Sequence, residues 1–375
     1  MTLTISIKAL PFFSHMDADA WHDLFIYLHR LQPKEGKMFS IFTRRTQTKD
    51  EGPLLKNGSM LLEKLIASCN GKCNPIRTFS AEELSKATNG FNVEQEISRY
   101  VHFVLYKGFL DGREISVKRY EIRESKYLET AITDIVIGSQ MSVHKNVLKL
   151  IGCCLETQNP LLVYEFGGEK TLKKYILDVH EGQPEPLTWK SRIRIAMDIA
   201  NAVAYLHTAL ARPIIHRGLS LISIVLDSKH VAKLSEFSLS IAIPEGKSHV
   251  EDAISGITGY MAPEVWKGSK INEKADVYSF GRLLFELLTG RNNVPEYYAA
   301  EDAIVEEFVQ SYVESNRLIE IVDQNISSEG INRDELVAFA KIALSCTEEN
   351  PEDRPTITDV AKQLRQLHKA SPCIT

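Results

Sequence analysis

Apolar and polar positions alternate through the segments VLYKGFL (104 to 110) and REISVKRY (113 to 120), which flank Asp111-Gly112. Both positions of a two-residue hairpin turn favour a left-handed backbone, which Asp and Gly adopt at little cost, so two antiparallel strands are predicted there. After about residue 188 the period becomes helical. Ile195, Ile199, Val203 and Leu206 line one face, and Ile357, Val360, Ala361, Leu364 and Leu367 line another. Strands first and helices afterwards predict a two-lobed α+β arrangement rather than an alternating parallel sheet. Upstream, Trp21, Leu24, Phe25, Leu28 and Leu31 recur at helical spacing between Asp17 and Leu31, and a Lys/Gly/Arg/Thr-rich stretch from Pro33 to Asn57 reads as a linker. Residues 1 to 37 read equally as a docking helix or as a dispensable extension upstream of Met38.

Composition narrows the class. The 375 residues carry 44 Lys+Arg against 49 Asp+Glu, a net charge of −5, with 44% hydrophobic and 25% charged residues. That balance suits a folded protein and rules out a generally basic nucleic-acid binder. No apolar run reaches the roughly 18 to 20 residues of a membrane span. The start MTLTISIKALPFF lacks a basic leader and is interrupted by Lys8 and Pro11, so it does not predict secretion. Neither Met1 nor Met38 precedes glycine, so neither start predicts myristoylation. The six cysteines (69, 73, 153, 154, 346 and 373) read as reduced thiols of a cytoplasmic protein. Cys69 and Cys73 have ligand-like spacing but no second pair to complete a zinc site, so no metal site is predicted.

Eight ordered segments then point to one family. ISVK (115 to 118), HKNVLKLIGCC (144 to 154), LLVYEF (161 to 166), IIHRGLS (214 to 220), SEFS (235 to 238), GYMAPEV (259 to 265), ADVYSFG (275 to 281) and NPEDRPT (350 to 356) resemble, in order and spacing, the subdomains of a eukaryotic protein kinase. The resemblance covers about residues 77 to 368. It implies a bilobal kinase-like fold, with a β-rich N-lobe at 77 to 166 and a helical C-lobe at 167 to 368. A leader at 38 to 76 and a tail at 369 to 375 flank the lobes. RTFSAEELSKATNGF (77 to 91) is similar to the segment preceding the catalytic domain of plant receptor-like cytoplasmic kinases.

The same resemblance identifies what has changed. Kinases cover the ATP phosphates with a glycine-rich loop, whose three glycine positions here fall on Ser98, Tyr100 and Phe103. Lys118 stands where a lysine holds the α and β phosphates, and Asp134 where its helical glutamate partner belongs; the shorter carboxylate predicts a weakened pair. Lys118 fits either nucleotide contact or a purely structural ion pair. In the catalytic loop the base, the lysine and the metal-binding asparagine become Gly218, Ser220 and Ser223. A general base contributes about 10²- to 10⁴-fold, so no catalytic residue is predicted. Glu236 replaces the magnesium-binding aspartate and reaches one methylene too far for a metal that demands near-octahedral geometry. The expectation is no cofactor; if ATP and magnesium still bind, Lys118, Asp134 and Glu236 are the residues to hold them. Glu264 and Arg354 match a structural ion pair of the fold, and Asp276 matches the aspartate that hydrogen-bonds the catalytic-loop backbone.

The leader NGSMLLEKLIASCNGKCNPIRTFS (57 to 80), the HKNVLKLIGCCLE block and the loop IPEGKS (243 to 248) look similar to the ZED-related group of receptor-like cytoplasmic pseudokinases. This resemblance implies an adaptor in plant immunity. Its partners are a coiled-coil nucleotide-binding leucine-rich-repeat (NLR) receptor, receptor-like cytoplasmic kinases and pathogen effectors, and its place is cytoplasmic or peripheral at the plasma membrane through those partners. Two other functions stay open: a weak or atypical serine/threonine kinase using Lys118 and Glu236, and a nucleotide-sensing switch. Ser248, Ser255 and Thr258 read either as modification sites or as solvated loop residues.

Overall fold

The computed structural model describes residues 52–69, 76–100, 102–121, 125–168, 170–177, 186–268, 270–290 and 304–370. The apolar stripe between Asp17 and Leu31, the extension 1 to 37, Cys73 and Cys373 lie outside them. Two compact units result: one holds the described residues up to Gln140 together with Leu150–Glu165, the other Met141–Lys149 and the described residues from Phe166 onward.

The first unit is built on a six-stranded sheet of β1 (Arg77–Thr78), β2 (Glu96–Arg99), β3 (Phe103–Leu110), β4 (Arg113–Tyr120), β5 (Leu150–Cys154) and β6 (Leu161–Glu165). Its order is β1-β5-β6-β4-β3-β2, with β1 parallel to β5 and the remaining pairs antiparallel. The predicted hairpin forms as expected. Asp111 and Gly112 take φ of 49° and 76°, and Leu110 pairs with Arg113 across the turn. Because side chains alternate, Ile115 and Val117 face a core containing Phe79, Leu84, Cys154, Leu161 and Val163, while Ser116, Lys118 and Tyr120 face the other way.

Three helices accompany the sheet: α1 (Pro53–Cys69), α2 (Ala81–Ala87) and α3 (Ser125–Met141). A capping box starts α2, in which the Glu83 amide donates to Ser80 Oγ and the Ser80 amide donates to Glu83 Oε2. The leader, read from sequence as linker, carries α1. Leu61, Leu62 and Leu65 of this helix are buried, and Asn57 Nδ2 donates to the carbonyls of Leu155 and Thr157 at 2.9 and 2.8 Å. Lys64 ties it to α3 through Thr133 Oγ1 at 2.8 Å and Glu129 at 3.1 Å.

The second unit is mainly helical: α4 (Leu172–Ile176), α5 (Trp189–Thr208), α6 (Pro263–Trp266), α7 (Lys274–Thr289), α8 (Ile304–Glu314), α9 (Gln324–Ser327), α10 (Arg333–Cys346) and α11 (Ile357–Ala370). Two small ribbons join it, β7 (Ile214–Ile215) with β10 (Ile241–Ala242) and β8 (Ile224–Leu226) with β9 (Ala232–Leu234). Both predicted helical faces are present. Ile195, Ile199, Val203 and Leu206 are fully buried, as are Ile357, Val360 and Leu364 to within 2%, and α5 packs directly on α11. Leu367 is half-buried at the end of its stripe. Helix α7 is buried along nearly its whole length and packs against α10.

Candidate functional site

In the first unit, Lys118 Nζ meets Asp134 Oδ2 at 2.8 Å, and neither side chain is exposed at all. The predicted pair therefore forms fully: one lost methylene does not keep the carboxylate from its partner. Tyr164 and Tyr120 donate their hydroxyls to the same Asp134 oxygen at 3.1 and 3.4 Å. The ammonium also lies 4.0 Å from the Phe103 ring centre and 4.9 Å from that of Tyr120, so its positive charge is held by aromatic faces as well as by the carboxylate.

Phe103 is the residue at the third glycine position of the phosphate lid. Tyr100, at the second, packs on it with ring centres 4.5 Å apart, and its amide donates to the Phe103 carbonyl at 2.9 Å. At the positions that the kinase resemblance gives to the phosphate lid, the Phe103 ring lies over Lys118 and Tyr100 packs on Phe103.

The second unit carries the catalytic-loop segment. Asp276, at the start of α7, accepts the amides of His216 and Arg217 at 2.7 and 2.9 Å and the His207 ring at 2.8 Å. Burial pushes its carboxyl pKa up, but the His207 hydrogen bond, the nearby imidazoles and the His216 amide outweigh that and hold it below the ordinary aspartate value. The loop's support is intact. At the position that the kinase resemblance gives to the general base stands Gly218, whose backbone is outside the left-handed region. A Cβ there would meet the His216 ring and Leu239 Cδ1 at 3.7 Å, ordinary contact distance. A Cβ at this position is accommodated without a clash.

The two serines have a different task. The Ser220 amide donates to Ser223 Oγ at 3.1 Å and Ser223 Oγ donates to the Ser220 carbonyl at 2.9 Å, forming a short turn over Leu221–Ser223. Ser235 donates its amide and hydroxyl to the Ser223 carbonyl at 2.8 and 3.0 Å. Ser223 is 2% exposed, so its hydroxyl is committed to the backbone. Glu236 follows with φ of 68°, a strained value for glutamate, and Phe237 buries its ring 5.3 Å from that of His216.

Downstream, Arg354 binds Glu264 through two parallel hydrogen bonds of 2.8 and 2.9 Å. Its remaining donors go to the carbonyls of Glu348, Glu349 and Lys274, so all five N–H groups are used. Between Ser238 and Glu264, Arg217 pairs with Asp252 at 2.6 Å and donates Nε to the Leu239 carbonyl. Ser248 and Thr258 are exposed and Ser255 is half-buried. Tyr260 donates its hydroxyl to Glu286, whose carboxyl is pushed up to about 7 by burial, with Tyr260, Arg282 and Lys173 opposing the shift.

Lys118 and Asp134 are brought together, and Glu236 lies on the other unit. Sequence reasoning missed the tyrosines around Asp134, although the pleat contained the signal. Lys118 and Tyr120 share a strand face at i and i+2, Phe103 is the cross-strand partner of Tyr120, and Tyr164 is the partner of Ser116 on that same face. It also missed Asp252 and Glu286, for which no local spacing gives a signal.

Residues 100–364 match the sequence pattern of the protein tyrosine and serine/threonine kinase family. Among curated relatives, the chain is 39% identical over 325 residues to the non-functional pseudokinase ZED1 of Arabidopsis thaliana, covering 84% of this chain and 96% of that one. It is 35% identical to the non-functional pseudokinase ZRK2 of the same plant, covering 88% and 94%. It is 37% identical to the serine/threonine-protein kinase ZRK1, also of A. thaliana, covering 87% and 95%.

Proposed function

The chain belongs to the protein tyrosine and serine/threonine kinase family, and from that premise we propose that it is a catalytically impaired member acting as an adaptor. The observation that carries this reading is the state of one lysine: Lys118 is held by Asp134, Phe103 and Tyr120 with no exposed side-chain surface. Its charge is taken up by the carboxylate and the aromatic faces, and no part of the side chain is exposed to meet a phosphate. Gly218 supplies no base and Ser223 no free metal ligand, so the residues present do not fit magnesium-ATP, and no transfer step is derived from them. The likeness to two non-functional pseudokinases supports the same direction.

In this role the fold is a docking body. One face binds an NLR immune receptor, and the segment Ser238 to Glu264 meets a receptor-like cytoplasmic kinase altered by a pathogen effector. What supports the second surface is that Arg217 and Asp252 tether the segment while Ile254 is 54% and Trp266, just beyond the segment, 43% exposed. Co-purification with the candidate receptor, with and without the effector-modified kinase, tests the assignment; a receptor that ignores the protein in both conditions overturns it. Calorimetry with ATP and magnesium tests the absence of nucleotide chemistry. A Kd below about 1 mM contradicts the sealed lysine.

One observation favours a weak kinase as the second reading: the lysine–carboxylate pair and the Asp276 network are both fully formed. Radiolabelled phosphate transfer by the purified chain that vanishes in both Lys118→Ala and Glu236→Ala would establish it.

A further inference from the structure

Helix α5 carries a basic face that the adaptor reading does not use. Arg194 lies at its centre: Nη2 donates to the His230 carbonyl at 3.1 Å, while Nε is buried without a hydrogen-bond partner. Lys190 lies one turn earlier on the same helix side. Next to them, Lys233 of β9 donates to the Lys145 carbonyl at 2.8 Å, and Arg365 of α11 reaches Asn201 of α5 at 3.5 Å.

Three titratable neighbours register the shared field. His144 and His368 are held below the ordinary histidine pKa, by burial first, then by Lys145 and Lys233 at the former and by Lys190 and Arg194 at the latter. Asp198, 7% exposed, is raised by burial while Lys145, Arg194 and Lys233 pull it down. Three cations from three elements, Lys145, Arg194 of α5 and Lys233 of β9, therefore lie within electrostatic reach of one buried acid, and Arg194 shares the surroundings of His368 with Lys190. Val143, two residues before Lys145, is an apolar side chain 60% exposed.

We infer that this face docks on an anionic phospholipid bilayer. The cations are spread over α5, α11, β9 and the loop at 143 to 145 rather than gathered round a small anion, and three of the five are lysines, which act as point charges without the bidentate geometry that singles out one phosphate. The exposed valine suits the headgroup boundary, and no helix among the described residues is long and apolar enough to cross a membrane, so contact is peripheral. Because the whole chain carries −5, attraction to such a surface depends on a local concentration of basic side chains such as this face provides. The inference stands independently of the adaptor reading.

Co-sedimentation of the full chain tests it, with vesicles of pure phosphatidylcholine and of phosphatidylcholine mixed with phosphatidylserine. Binding is expected on the mixed vesicles alone, declining as salt shortens the screening length. Each basic side chain near the surface contributes about five-fold, so Lys145→Gln with Lys190→Gln lowers partitioning by about 25-fold. Lys267→Gln, on α6's flank and paired with Glu349, leaves it unchanged. Far-UV circular dichroism of the double variant establishes that it is folded. Equal recovery on both vesicle types overturns the inference, as does full binding by a folded double variant. Salt-sensitive capture on polyglutamate resin without vesicle binding also overturns it, in favour of an acidic protein partner.

Discussion

Lys118 and Asp134 form a 2.8 Å ion pair from which solvent is wholly excluded. In this environment each charge depends on the other, on two tyrosine hydroxyls and on an aromatic face. Removing one partner of a buried pair costs about 3 to 5 kcal/mol, because the survivor is left charged in a medium that solvates it poorly. Asp134→Ala should therefore lower stability by about that amount in urea unfolding. Asp134→Glu, which keeps the charge, should cost less; equal losses for the two would show that packing rather than charge governs the position.

Gly218→Asp should fold and still fail to transfer phosphate. The Cβ it adds meets neighbours only at 3.7 Å, so thermal unfolding should stay close to that of the parent. The lost lid and the committed Ser223 hydroxyl remain, and groups that act as one catalytic unit do not recover singly. Measurable phosphotransfer by this single variant would show that the lid and the metal ligand matter less than their geometry suggests.

Arg354→Lys should behave as a severe substitution despite keeping its charge. Lysine offers three rotatable donors in place of the planar fork that grips Glu264 with two bonds and three carbonyls with the rest. A loss of about 3 kcal/mol or more is expected in denaturant melts, of the size found on breaking a buried pair.

Stability should depend on pH through Glu286. Its folded carboxyl titrates near 7, above the 4.5 of an unperturbed glutamate, so its contribution is full below about 4.5 and is lost as pH rises through 7. Glu286→Gln cannot ionise and should lose less stability than the parent over that interval. Parallel unfolding midpoints for both proteins from pH 5 to 8 would refute the assignment of the titration to this residue.

Asp252→Ala should loosen the segment without melting the protein. The Arg217–Asp252 pair is partly exposed, with side chains 10% and 37% accessible, and such pairs add little to global stability. Hydrogen exchange across residues 248 to 258 should quicken while the unfolding temperature barely moves.

Local rules made most of the fold legible. The Asp111-Gly112 hairpin follows from turn chemistry and the two buried helical stripes from a period of 3.6, and both depend on near neighbours in sequence. The catalytic-loop losses at Gly218 and Ser223 were equally readable, since they are substitutions at fixed offsets from His216. The aromatic enclosure of Lys118 joins β3, β4, β6 and α3, so it needed cross-strand register as well as parity along one strand. Helix α1 escaped because Gly58 and Asn57 weaken its helical signal while tertiary burial of Leu61, Leu62 and Leu65 stabilises it. Tyr260 and Glu286 are 26 residues apart, and only the packing of α7 makes them neighbours.

Helix α1 also changes where the protein can be cut. A fragment trimmed to begin at Arg77 would keep every kinase motif, yet it would bare the greasy bed under three leucines and strip the carbonyls of Leu155 and Thr157 of their amide donor from Asn57. Such a truncation would clump rather than behave as a smaller version of the whole, and workable expression boundaries start upstream of Pro53.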